Sequence, residues 1–416
     1  MDPHSKASRT VRPGRFLVGF FRDYVDYCEE FTDAPAVFHQ RLAYLVLSSV
    51  LNLRVKIRHG HRFFYPNLWL MLIAPSTFYR KSYALSIAKH LVEEIEPNFL
   101  IPNNFSTEGL REFLATSAQG MIVFDEFRDL MATISKRYNE DAKGFLMESY
   151  DCPPRLTLGL RAKVKGKKKF STEDLDENGK PERFCIQNPF INIATATTMD
   201  WFRASLYAPD IPGGFLPRFF IVQAYPKTKT ISWLGSDDSA KRDALVEQLR
   251  SYQQVSGEMQ ITPRARAYQH DWYAAFEKKR SDDNGKIAPF YSRLADEYVK
   301  KFAMLNAVER THGLLIDSDD MAAACAYCDN CAQELGDTLA DLDGGAYPQD
   351  RRRVEQFLKA QKGKVPRALV YRSTRVRARI LDEILSELVT SETVVSSRAP
   401  PGKEGGPATT WYEWKD

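Results

Sequence analysis

Short apolar runs alternating with helix-period segments predict an α/β fold with a parallel sheet in the first half of the chain. Three observations carry this expectation. Residues 68–73, Leu-Trp-Leu-Met-Leu-Ile, form a continuous apolar run suited to a strand buried on both faces. Similar runs recur at residues 99–101, 121–124, 190–194 and 219–222. Helical patterns lie between most of them, as at residues 83–95 and 108–116.

In chain order, residues 14–52 read as helix. Ala36, Phe38, Leu42, Leu45, Val46 and Ser49 recur at three- and four-residue steps, and Asp33-Ala34-Pro35 offers a cap followed by a helix-starting proline. Val55 and Ile57 then alternate with charges, marking the change to strand period. After Tyr225-Pro226 the strand signals stop, and residues 239–342 read as mostly helical, with breaks at 281–285 and 311–313. A Gly344-Gly345-Ala346-Tyr347-Pro348 linker introduces a last segment. The expected divisions are a helical segment at 1–60, a core at 61–228 with an insert at 156–186, a helical region at 229–345 and a small domain at 346–416.

Composition narrows the class. With 44% hydrophobic and 27% charged residues in 416, the chain is neither disordered nor collagen-like nor a disulfide-stapled miniature. Its longest apolar stretch, residues 42–51, is interrupted by Ser48 and Ser49 and is too short to span a bilayer. No signal peptide is visible, and six cysteines in so long a chain suit a reducing compartment, so the cytoplasm is the expected location and a membrane is not an expected partner. Net charge is only +4, but residues 347–416 hold 14 Lys+Arg against 9 Asp+Glu. That places a polyanion contact at one end of the chain.

The apolar run ending at Ile73 leads into Ala74-Pro75-Ser76-Thr77-Phe78-Tyr79-Arg80-Lys81-Ser82 and a helix. Strand, loop, Lys-Ser, helix is the layout of a phosphate-binding loop. Backbone N–H groups at the helix start cradle phosphates, the lysine reaches the β/γ oxygens and the serine hydroxyl holds Mg²⁺. Ser76, Thr77, Arg80, Lys81 and Ser82 are therefore the candidate nucleotide-binding residues, with ATP and Mg²⁺ as cofactors. Pro75 and Arg80 stand where such loops carry glycine, which leaves a strand running into a basic helix start as the alternative. Asp125 and Glu126 end the strand at 121–124, where Asp125 suits a magnesium ligand and Glu126 a base for the attacking water. Thr197 ends the polar-tipped strand Asn192-Ile193-Ala194-Thr195-Ala196-Thr197, and Arg218 precedes the strand at 219–222.

A Lys-Ser loop, an Asp-Glu strand, a polar-ended strand and Gly214-Phe215-Leu216-Pro217-Arg218-Phe219, in that order, resemble the additional-strand P-loop ATPases. The pattern is closest to the AAA+ and MCM-like helicases within the AAA+/RecA-like group. It is also similar to a bacterial P-loop family of undefined function carried by phages, plasmids and integrated elements beside primase genes. The resemblance covers about residues 36–340. It implies a P-loop NTPase core with a helical lid, an arginine at Arg218 that reaches a neighbouring subunit's nucleotide, and a second sensor residue, for which Arg293 is the candidate and Lys300 the reserve. It also implies a ring, a hexamer by preference, acting on single-stranded or forked DNA beside a primase.

Two basic elements remain. Leu156, Leu158, Leu160, Ala162 and Val164 alternate with residues that turn basic, and Lys163, Lys165, Lys167, Lys168 and Lys169 crowd the tip of a hairpin that returns at 184–186. In ring ATPases such hairpins grip DNA in the channel; a solvated surface hairpin is the alternative. In the tail, three helical patterns and a two-stranded wing resemble a winged helix-turn-helix over residues 348–416, with Arg375 and Arg379 at the third helix and Lys403 in the wing as candidate DNA contacts. Packing against a partner protein is the alternative there. Cys325, Cys328 and Cys331 recur at steps of three along a helix, which favours small buried residues over a zinc site completed by His312. The leading expectation is an ATP-dependent DNA-translocating helicase of a mobile element. A nucleotide-switched DNA-binding regulator and a defence-related NTPase are the alternatives.

Overall fold

The computed structural model describes residues 19–75, 79–136, 139, 141–157, 185–206, 214–224, 230–235, 237–281, 288–343, 346–361, 363–390, 393–399 and 409–415. Two compact units divide the chain, residues 1–333 and 334–416. The expected N-terminal segment, the core and residues 229–333 of the helical region fall in the first unit, and residues 334–345 of that region fall in the second.

The first stretch is two helices, α1 (Gly19–Phe31) and α2 (Ala36–Leu51), parted at Asp33-Ala34-Pro35. Proline cannot donate to the preceding turn, so the helical period is interrupted there. Fifteen of the sixteen α2 residues are buried, which marks an interior helix rather than an amphipathic surface one. A hairpin follows, β1 (Val55–His59) and β2 (Arg62–Phe64), then β3 (Trp69–Ile73), α3 (Lys81–Ile95), α4 (Thr107–Thr116) and β4 (Gln119–Phe124). Next come α5 (Phe127–Ile134), α6 (Ala142–Tyr150) and the antiparallel pair β5 (Arg155–Thr157) and β6 (Cys185–Gln187), in which Leu156 faces Ile186. That pair is the base of the expected basic hairpin. Lys163, Lys165, Lys167, Lys168 and Lys169 lie outside the described residues.

The central sheet is completed by β7 (Phe190–Thr197), α7 (Met199–Leu206), a tight turn at Leu216–Arg218 and β8 (Phe220–Gln223). Its order is β4-β7-β3-β8 and every pairing is parallel. Leu100 adds a parallel bridge to Met121 outside β4. Thus β7, late in sequence, lies between β3 and β4. Asn192 secures it against α2: its amide oxygen accepts from Leu68 N at 2.7 Å, and its amide nitrogen donates to Ser48 Oγ at 3.0 Å and Ser49 Oγ at 2.9 Å. Trp69 Nε1 donates to the Ile191 carbonyl from β3 at 3.0 Å.

The region expected to be mostly helical also contains two short strands. Between α8 (Ser239–Tyr252) and α9 (Pro263–Ser281) lies β9 (Gly257–Ile261). After α10 (Ala288–Arg293), a π turn at Leu294–Tyr298 and α11 (Val299–Thr311) comes β10 (Leu315–Ile316), then α12 (Ser318–Asp343). These strands join the first hairpin in a second sheet, ordered β10-β9-β1-β2. Val55 pairs with Gly257 and Ile57 with Met259, partners some 200 residues apart, so no local pattern marks β9. No helix among the described residues is long and apolar enough to cross a membrane.

The second unit contains α13 (Ala346–Ala360), β11 (Val365–Pro366), α14 (Arg367–Thr374), α15 (Ala378–Thr390), β12 (Val394–Ala399) and β13 (Thr409–Trp414). Its wing has three strands rather than two, because Val365-Pro366 pairs with Tyr412 and Trp411. Val354, Leu358, Val370, Leu381, Ile384, Leu385 and Leu388 build its core.

Asn192→Ala is expected to destabilise the first unit by about 3 kcal/mol, because it leaves the Leu68 N–H and two buried hydroxyls without their shared partner. Urea unfolding followed by circular dichroism measures this; a loss under about 1 kcal/mol would show that these groups find other partners.

Candidate functional site

The parallel sheet sends the ends of β3, β4 and β7 to one edge. Phe124 pairs with Thr195 and Ile73 with Thr197, so Lys81 after β3, Asp125-Glu126 after β4 and Thr197 on β7 converge there. The Thr197 carbonyl accepts from Ala74 N at 3.3 Å and holds the start of the loop. Lys81 opens α3 and is buried; its ammonium donates to the carbonyls of Ala74 at 2.5 Å and Pro75 at 3.1 Å. Burial pushes its pKa down, while the nearby Glu126 carboxylate favours the charged form. Ser82 and Asp125 are exposed and Glu126 is half-buried. Ser76 and Thr77 lie outside the described residues.

Arg80 departs from expectation. Its backbone is left-handed, φ +46°, the conformation glycine supplies in phosphate loops. Its side chain turns to Asp33, with Nε 2.5 Å from Oδ1, and donates to the Ile231 carbonyl at 2.9 Å. The other Asp33 oxygen accepts from Ile231 N at 3.1 Å. The N-cap residue of α2 is Pro35, and Arg80 joins three chain segments through Asp33 and Ile231. Sequence reasoning missed this clamp because Asp33 carried a plausible local role.

Arg218 is at the opposite edge. It precedes β8, whose Phe220 pairs with Leu70 near the start of β3. The five residues of β3 separate that edge from Ile73 by roughly 13 Å. The Tyr298 hydroxyl lies 2.9 Å from the Trp69 carbonyl and 2.5 Å from that of Arg218, donating to one at a time. Arg218 Nη1 donates to the Gly214 carbonyl at 2.7 Å, and Nη2 is 3.4 Å from Asp151 Oδ2. Gly214 has φ +75°, and a Cβ there would sit 3.1 Å from Arg218 Nη1. The side chain is 10% exposed, and its Nε has no partner among the described residues.

Arg293, the candidate second sensor, belongs to this second edge too. Its Nη1 pairs with Glu297 and lies 3.7 Å from Asp151 Oδ1, so Asp151 sits between two arginines. Lys301 Nζ lies 3.9 Å from the Tyr150 ring centre, and burial pushes its pKa down to about 8 against the pull of Glu297. Lys300, the reserve candidate, donates to the Asp296 carbonyl in the π turn before α11. Tyr150, Asp151, Glu297 and Lys301 had no local signal; only tertiary packing gathers them around Arg218.

Other candidates resolve simply. Cys328 and Cys331 are buried, and their thiols donate to the carbonyls of Leu294 at 3.5 Å and Ile221 at 3.4 Å. Burial pushes the Cys325 thiol up to about 12, while His312 Nε2 is 3.0 Å from Ser251 Oγ. Arg375 is not on α15; it follows α14 in a left-handed conformation, φ +54°. Arg379 lies in the first turn of α15, its side chain outside the described set, and Lys403 is also outside it.

No protein-family model matches the chain, and no curated protein matches it.

Arg80→Ala removes the partner of a buried carboxylate, so the melting temperature is expected to fall by an amount equivalent to about 3 kcal/mol. Adding Asp33→Asn should recover part of the loss, since the uncompensated charge is then gone. Additive losses in the double variant would show that the pair is not coupled.

Proposed function

We propose that this chain is an additional-strand P-loop ATPase of the AAA+/MCM-like kind, working as a ring-forming DNA translocase, with a hexamer favoured. The observation that carries the proposal is the position of β7 between β3 and β4. That order brings Lys81, Glu126 and Thr197 to one edge and leaves Arg218 on the other.

The donor set fits a magnesium nucleotide. A buried ammonium whose present partners are its own loop carbonyls is free to exchange them for phosphate oxygens. The exposed Ser82 hydroxyl and Asp125 carboxylate would hold Mg²⁺. ATP with Mg²⁺ supplies an in-line phosphoryl transfer to water. Glu126, half-buried beside Lys81, orients that water and takes its proton. Thr197 holds the loop start through its carbonyl, and the Arg80–Asp33 clamp sets the loop's entry into α3. Arg218 lies too far from its own Lys81 to serve the same phosphates, so its part is played toward a neighbouring copy. To reach out it must give up Asp151 and the Gly214 carbonyl.

The lysine-rich segment between β5 and β6 and the basic second unit are the elements proposed to meet DNA, single-stranded or forked, beside a primase. None of the six cysteines is in a disulfide and five are buried, which suits the cytoplasm.

Glu126→Gln is expected to bind ATP and to lose most of its turnover, whereas Lys81→Ala weakens binding itself; a fluorescent ATP analogue and phosphate release measure the two. Wild-type hydrolysis by Glu126→Gln would remove its role as base.

Arg218→Ala should bind ATP yet hydrolyse it some 10³- to 10⁵-fold more slowly, the range of arginine fingers supplied by a neighbour. Mixed with Lys81→Ala protein it should regain turnover, because a junction then pairs an intact loop with an intact arginine. Mixtures that co-assemble without any recovery would confine Arg218 to its own chain.

A further inference from the structure

The described cations between Arg351 and Arg377 fall into two sets. Arg351, Arg353 and Arg367 are paired with carboxylates: Glu355 and Glu387, Asp350, and Asp382 respectively. Lys359 lies over the Trp414 ring at 4.6 Å. Lys364, Arg372, Arg375 and Arg377, by contrast, are exposed and have no carboxylate partner among the described residues. They run in sequence from the approach to β11, along α14 and into the turn before α15.

The exposed arc of α14 is centred on Arg372 and also carries Leu369 and Tyr371, which are 42% and 44% exposed. Val370 and Thr374 face the core. The helix thus offers an uncovered aromatic ring and an aliphatic side chain among unpaired cations. The third helix offers the reverse. The exposed side chains of α15 include Asp382 and Glu387, both already bound by arginines of their own unit, and its apolar side is spent on the core. Pressing that face into a groove would set carboxylates against phosphates.

We propose that the second unit holds a single strand of nucleic acid across α14 and the α14–α15 turn, and that α15 is not a groove-reading helix. Lys364, Arg372, Arg375 and Arg377 meet the phosphates, while Tyr371 and Leu369 receive unstacked base faces, which a duplex keeps hidden. The proposal rests on the DNA partner named above, but not on hydrolysis.

The test titrates the full chain, without nucleotide, into a labelled oligothymidylate and into a duplex of equal length, by fluorescence anisotropy at several KCl concentrations. The single strand should bind more tightly. Tyr371→Ala should weaken that binding roughly 5- to 150-fold, the worth of one stacked base, with Tyr371→Phe recovering most of it. Arg372→Gln/Arg375→Gln/Arg377→Gln should lower the slope of log K against log salt by about 2, at about 0.7 per single-strand phosphate contact. All these positions are exposed, and a melting curve for each variant verifies folding. Wild-type affinity and slope in both variants would overturn the proposal. So would duplex preference with the loss carried by Arg379→Gln, or binding of neither nucleic acid. A wild-type chain that hydrolyses no ATP would sink the motor and leave this proposal standing, since the assay contains no nucleotide.

Discussion

The placing of one parallel strand governs the first unit. Because β7 pairs with both β3 and β4, the backbone ladder sets Ile73 beside Thr197 and Phe124 beside Thr195, at the same end of the sheet. A parallel ladder needs crossover connections, so the chain passes over the sheet between each pair of strands and returns to the same side. Every segment that follows a strand therefore begins at one edge, and every segment that precedes one ends at the other. Lys81 and Glu126 follow strands; Arg218 precedes one. Their separation is a result of connectivity rather than of any attraction between side chains.

That constraint explains how the two edges differ in chemistry. At the first, one buried ammonium is held by carbonyls of its own loop, with exposed or half-buried acids beside it, an arrangement that can exchange partners. At the second, Arg218, Arg293 and Lys301 crowd around Tyr150 and Asp151, and the carboxylates of Asp151 and Glu297 offset them. Clusters with low exposure are costly unless nearly neutral, so the second edge is the more tightly bound of the two. The proposed ring of copies would provide a reason to keep arginines there.

Arg80 shows how a loop can do without glycine. A non-glycine residue at φ +46° carries backbone strain, and the pairing with buried Asp33 offsets it. The same pair ties the loop to the turn between α1 and α2 and to Ile231. Geometry that glycine would permit by freedom is here imposed by an ion pair.

The sequence by itself determined the elements of the central sheet and the chemistry offered at its first edge. Continuous apolar runs mark strands buried on both faces, and Lys81-Ser82 and Asp125-Glu126 follow such runs directly, so local pattern was enough. It also marked the three helices of the second unit through their apolar stripes. Tertiary structure alone decided the strand order, the pairings of β9 with β1 and of β10 with β9, and the partners of Arg80, Arg218 and Arg293. An apolar run does not name its neighbour, since any such strand satisfies another's hydrogen bonds equally well. An arginine likewise shows only that it needs an anion. Asp33 lies 47 residues from Arg80 and Asp151 lies 67 from Arg218, and only the packed chain selects those carboxylates from the 54 it carries.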